Sequence, residues 1–137
     1  MKKRTLLLGL LLPAVLLAVA IYVWFFVWNK PALNIEKAKA ITIEASALFD
    51  EYSANEKAAN AKYIDKVLEV SGEVTNVSKN AEGLTVIMLK TNDLMFGVNC
   101  TMEEKEVECK AGDTLTLKGI CTGYLTDVVL IRCHRVK

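Results

Sequence analysis

Apolar residues recur along this chain in three different ways, and each predicts a different element. From Thr5 to Trp28 there are 24 residues without a charge, nearly all Leu, Val, Ala, Ile, Phe, Trp or Tyr. A helix of that length is roughly 36 Å long, enough to cross a hydrocarbon core of about 30 Å with some tilt. Pro13 lies inside the run, where a spanning helix tolerates it. Tyr22, Trp24 and Trp28 gather at the far end, as amphipathic aromatics do at a lipid–water interface. From Glu44 to Lys62 the pattern is helical: Leu48, Phe49 and Tyr52 share one face, with Ala45 and Ala59 extending it. Thr42 is a candidate cap, and Asn55 and Asn60 are candidate breaks.

After Tyr63 the period drops to two. Leu68, Val70, Gly72 and Val74 alternate with Glu69, Ser71, Glu73 and Thr75, which predicts a half-buried strand with a bulge or bend at Gly72. Turn residues at 80–83, 92–93, 111–113 and 124–127 separate four further strands, 84–90, 94–101, 114–122 and 128–136. Leu94, Phe96, Val98 and Cys100 share a face of the third, with Phe96 assigned to the core. The acidic stretch 102–109 reads as a short helix or loop between the third and fourth strands. Five strands with an insert at that point is the order of an OB-fold, a five-stranded Greek-key barrel. The expected divisions are a cytoplasmic tail (1–4), a transmembrane helix (5–28), a connector (29–41) and an OB-fold domain (42–137). Within the domain lie a helical segment (44–62) and the barrel (66–137).

Charge then orients the chain. Lys2, Lys3 and Arg4 precede the apolar run and only Lys30 follows it closely, so the positive-inside rule keeps the N-terminus cytoplasmic and the domain extracytoplasmic. A cleaved signal peptide would end in small residues; this run ends Trp-Phe-Phe-Val-Trp, which favours an uncleaved anchor. Setting aside the three basic residues at 2–4 leaves 14 Lys and Arg against 16 Asp and Glu, a net charge of −2. A nucleic-acid binder ordinarily carries a basic excess, because phosphate contacts supply most of its affinity.

Three stretches resemble a known family: Asn60-Ala-Lys-Tyr63 leading into Val67-Leu-Glu-Val-Ser-Gly72, then Lys118-Gly-Ile-Cys-Thr-Gly123, then Asp127-Val-Val-Leu130 followed by Cys133. Together they are similar to the tRNA-anti-like family of bacterial OB-fold proteins, over roughly residues 42–137. The Gly-Ile-Cys-Thr-Gly stretch is the most specific part. That resemblance implies an N-terminal anchor or lipoprotein signal and one OB domain. The family name records likeness to an anticodon-binding OB domain and implies no activity.

Candidate chemistry is sparse. No cofactor, metal site or enzyme is expected: paired acids, a phosphate-cradling glycine loop and metal-ligand spacings are missing, and His134 is the one histidine. Thiol–disulfide catalysis by Cys121 and Cys133 lacks a C-x-x-C arrangement. The reading favoured is a membrane-tethered binding module for a protein or other envelope component, the alternative being single-stranded nucleic acid or oligosaccharide. Oligomeric state is not legible. Tyr124, between the last two strands, is the stacking candidate, and Lys118, Arg132 and His134 form a candidate basic surface or a solvated edge. All four cysteines follow the anchor, which suggests disulfides. A final turn centred on Asp127 sets Cys121 opposite Cys133, the first-choice bridge. A turn centred between Leu125 and Thr126 sets Cys121 opposite Leu130 instead and leaves Cys133 to Cys100. Cys109, in the acidic insert, is expected to stay unpaired or to bond Cys100 across the short loop.

Overall fold

The computed structural model describes residues 2–29 and 32–137, with side chains at residue 9 and from residue 11 onward. Lys30, in the expected connector, lies outside the described residues, as do the side chains of Lys2, Lys3 and Arg4. The chain forms two units, 1–33 and 34–137. The first is helix α1 (Lys2–Trp28), with Pro13 inside it. Its window Leu11–Trp28 has a mean hydropathy of 2.4 and is nowhere buried. Tyr22, Trp24 and Trp28 are all exposed, and the Tyr22 ring stacks on Phe26 one turn on, at 5.1 Å.

The second unit starts with strand β1 (Ile41–Glu44), which pairs parallel to the start of β2 (Val67–Lys79). This strand corrects the assignment of Thr42 as a helix cap; the N-cap is Glu44, whose side chain makes no capping bond. Helices α2 (Ala45–Ala54) and α3 (Glu56–Tyr63) follow, divided at Asn55 and not at Asn60. Asn55 is extended, and its side chain accepts from the Ala58 N–H at 3.1 Å, so it ends one helix and caps the next. Glu51 ties the two helices together, accepting from Lys62 Nζ at 2.9 Å and Tyr63 Oη at 2.8 Å. Those contacts, Lys62 first, hold its carboxyl below the usual range. The α2 stripe is as read: Ala45, Leu48, Phe49 and Tyr52 are buried.

The remaining strands are β3 (Thr85–Leu89), β4 (Val98–Met102), β5 (Thr114–Tyr124) and β6 (Val128–Arg135). They run β2-β3-β4-β6-β5, and β5 pairs back onto β2, closing the barrel. β4 and β6 are parallel; the other barrel pairs are antiparallel. This is the OB topology that the strand order predicts. Closure leaves the barrel no open edge, and its inward residues, among them Leu68, Val70, Ile87, Leu89, Leu117 and Leu130, form one core with the α2 stripe.

Two strand assignments need correction. Leu94–Gly97 is a loop, not the start of β4, so Leu94 and Phe96 are not on the strand face, and Phe96 is 38% exposed. The alternation there was accidental: Asp93 accepts from the backbone N–H of Met95 and Phe96, which bends the chain into a turn. The stretch after β4 is loop. The bulge in β2 falls at Thr75, where the pairing with β3 shifts, and not at Gly72.

The register of β5 with β6 corrects the first-choice disulfide. Tyr124 opposes Val128, which centres the turn on Thr126. An extra β5 residue at Thr122 then sets Cys121 opposite Leu130, and an extra β6 residue at Arg132 sets Lys118 opposite His134. Each bulge coincides with a left-handed residue, Gly123 at φ 131° and Arg132 at φ 52°. Cys121 therefore never faces Cys133, and all four cysteines are free thiols. Burial pushes the Cys121 and Cys109 thiols up, and Cys133, beside the Cys100 thiol and buried, is raised further. A thiol reagent added to the folded domain should label Cys109 alone, the one cysteine that is not fully buried. After unfolding without reductant, mass spectrometry should count four labels; two would show a bridge.

Candidate binding face

The alternation that buries one side of each strand leaves the other side outward. On β3 the outward residues are Val86 and Met88, and on β4 they are Asn99 and Thr101. Val86 pairs with Thr101 and Met88 with Asn99. Across the next ladder Asn99 pairs with Val129, and Ile131 of β6 pairs with Ile120 of β5. The face is completed on the β2 side by Ser78 opposite Val86 and Asn76 opposite Met88. These side chains are aliphatic, thioether, hydroxyl or amide; none is charged and none is aromatic. The β3–β4 sheet is the surface through which OB barrels take ligands.

The expected basic surface is assembled, but its charges are already engaged. Lys118 and His134 are paired across β5 and β6, and Arg132 joins them through a carboxylate. Glu103 accepts from His134 Nε2 at 2.7 Å and lies 3.6 Å from Arg132 Nη2. Lys118 Nζ donates to the Glu36 carbonyl at 3.0 Å. Lys118, His134 and Glu36 border an open cavity of about 470 Å³ together with Glu69, Arg135 and Lys137. His134 Nδ1 is buried there without a hydrogen bond, 3.9 Å from Glu36 Oε1. Sequence spacing missed both acids: Glu36 is 82 residues from Lys118, and Glu103 stands in an acidic run that reads as an undifferentiated loop.

Tyr124 is the last residue of β5 and not part of the loop. Its ring stacks on Tyr52 at 5.6 Å and meets the edge of Phe49 at 5.9 Å, so the α2 aromatics occupy it. Tyr52 in turn touches Cys121 Sγ through its hydroxyl at 3.3 Å, and burial raises its ionisation well above the normal range. The exposed apolar side chains that sequence reading missed are Leu94, Met95 and Leu125. For Leu94 and Met95 the signal was present as a run of apolar residues beside Asp93, a turn former. Among the described residues no group of three His, Cys, Asp or Glu could hold a metal ion.

No curated protein matches the chain. Among solved structures it is similar to a "putative nucleic acid-binding lipoprotein" from Klebsiella pneumoniae subsp. pneumoniae, at 16% identity and a TM-score of 0.54, over 70% of this chain and 92% of that one. At that identity the likeness shows the shared fold. A sequence model of the tRNA_anti-like family matches residues 1–135, extending the resemblance through the N-terminal helix. The chain belongs to the tRNA_anti-like family.

Proposed function

We propose that this protein is a membrane-tethered, extracytoplasmic OB-fold interaction module whose outer β3–β4–β6 face docks on a protein or other envelope component. The observation that carries this reading is the chemistry of that face. Val86, Met88, Val129 and Ile131 are partly exposed, and Asn99 and Thr101 lie between them, without a charge. Single-stranded nucleic acid is held by aromatic platforms in a basic groove. Here the one candidate platform, Tyr124, is packed under α2, and in the basic cluster Arg132 and His134 both face the Glu103 carboxylate while Lys118 is held by the Glu36 carbonyl. A catalytic thiol would be depressed and accessible, whereas Cys121 and Cys133 are buried and raised. The apolar helix α1 supports the tether, and the basic residues at 2–4 support the orientation.

A photo-crosslinking residue at Met88 should capture an envelope protein in intact cells, and Val129→Glu should abolish the adduct while leaving the fold unchanged. Protease added outside spheroplasts should remove the domain; protection of the domain would reverse the orientation. The alternative ligand, single-stranded nucleic acid, is favoured by the description of the Klebsiella structure. Titration of residues 34–137 with single-stranded DNA and RNA decides it: no salt-sensitive binding tighter than about 10 µM is expected at physiological salt. Tighter binding would shift the assignment to nucleic acid.

A further inference from the structure

Two adjacent loops at one end of the barrel fold their aspartates back onto backbone amides and project apolar side chains into solvent. In the first, the Thr91 hydroxyl donates to the Phe96 carbonyl at 2.6 Å. The Asp93 carboxylate accepts from the Met95 and Phe96 N–H groups at 2.7 and 3.0 Å. The second loop is latched to it: Asp127 Oδ1 accepts from the Gly97 N–H at 2.8 Å, and the Val128 N–H donates to the Gly97 carbonyl at 3.1 Å. Both aspartates are thus occupied in building the loops. What projects is Leu94, fully exposed, with Met95 at 82% and Leu125 at 87%. Clustered apolar side chains this exposed mark a surface that is covered in use.

We propose that Leu94, Met95 and Leu125 form a tip that inserts shallowly into the bilayer carrying the chain's own helix α1. This inference rests on the membrane-tethered reading. Only five residues separate Trp28 from Asn34, and five residues reach at most about 18 Å. The domain is therefore held at the bilayer surface, where the tether makes the local concentration of lipid high. Under that condition three aliphatic side chains suffice, although they would recruit a free protein poorly. Their form suits lipid: separate, flexible chains projecting from a hydrogen-bonded base enter a fluid phase without needing a shaped socket. With Asp93 and Asp127 folded back onto amides, the carboxylates stay at headgroup level while the aliphatic chains go deeper. Insertion would also hold the β3–β4–β6 face close to the membrane, where a membrane-bound partner could meet it.

Both tryptophans, Trp24 and Trp28, lie in α1, so the domain offers a dark background for a reporter. The full chain carrying Trp24→Phe, Trp28→Phe and Leu94→Trp is reconstituted into phosphatidylcholine vesicles with brominated acyl chains. Its emission should be blue-shifted and mostly lost to bromine quenching. Leu125→Trp on the same background should behave alike. Glu82→Trp, in the exposed turn at the opposite end of β3 from the first loop, should emit as a water-exposed tryptophan and remain unquenched. Water-like, unquenched emission from Leu94→Trp overturns the proposal, and so does equal quenching at position 82. The unsubstituted chain reports the anchor separately through Trp24 and Trp28. If those are quenched and Leu94→Trp is not, the tip alone is refuted; if they too are unquenched, the tethered reading falls with it.

Discussion

Replacing Tyr52 by alanine is expected to destabilise the domain by about 3–5 kcal/mol, the range for removing a large buried aromatic. Tyr52 is 1% exposed and stands where α2 meets the barrel. Its ring packs against Tyr63 at 6.1 Å and Tyr124 at 5.6 Å, and its hydroxyl reaches Cys121. Truncation leaves a cavity bounded by two helices and a barrel strand, and elements closed into a barrel collapse into such a space poorly. Tyr52→Phe separates the two contributions. It keeps the ring and loses one hydrogen bond to sulfur, so its cost should stay near 1 kcal/mol. Urea unfolding of residues 34–137, which form a unit with their own core, measures both. If Tyr52→Ala unfolds within about 1 kcal/mol of the parent, the ring is not part of a close-packed core.

Gly119→Val should be of comparable size, about 3 kcal/mol, through overpacking instead of a cavity. A Cβ at position 119 would run into the Cys133 sulfur, stand 3.0 Å from the Ile131 carbonyl oxygen and 3.3 Å from the Cys133 Cα. Two of those three neighbours are backbone of the paired strand β6, which cannot rotate away. Removing the sulfur should therefore rescue only in part: Gly119→Ala with Cys133→Ala should be less destabilised than the two single effects added together, yet below the parent. Full additivity in chemical denaturation would mean that the sulfur and the new methyl do not meet.

These two positions show where sequence reading reaches and where it stops. Tyr52 was legible, because a helix repeats every 3.6 residues and Leu48, Phe49 and Tyr52 fall on one side of it whatever the helix packs against. Gly119 was legible only as part of a motif. Its reason is the backbone of β6 and the Cys133 sulfur that it carries, and no local pattern contains those. Gly123 in the same motif is explained by its φ of 131°, which L side chains rarely adopt. The misplaced strand at 94–97 shows the converse error. Leu94, Phe96 and Val98 stand two apart as on a strand face, but Asp93 offers the backbone a competing turn, and a carboxylate bound to two N–H groups outweighs so short a pattern.

The sequence by itself determined the elements whose cause is local. An uncharged run long enough to span a bilayer, an aromatic helical stripe with candidate breaks at Asn55 and Asn60, and period-two segments in OB order follow from spacing and turn chemistry within a few residues. Only the tertiary structure decided what depends on how distant segments meet. One extra residue at Thr122 and another at Arg132 changed which side chains oppose each other between β5 and β6, and with them the fate of Cys121 and Cys133. The same holds for the basic cluster, whose character depends on Glu36 and Glu103 arriving from elsewhere. A bulge shifts register by one residue while leaving the apolar alternation around it intact. The pattern that folds the strands therefore does not record which residues they bring together.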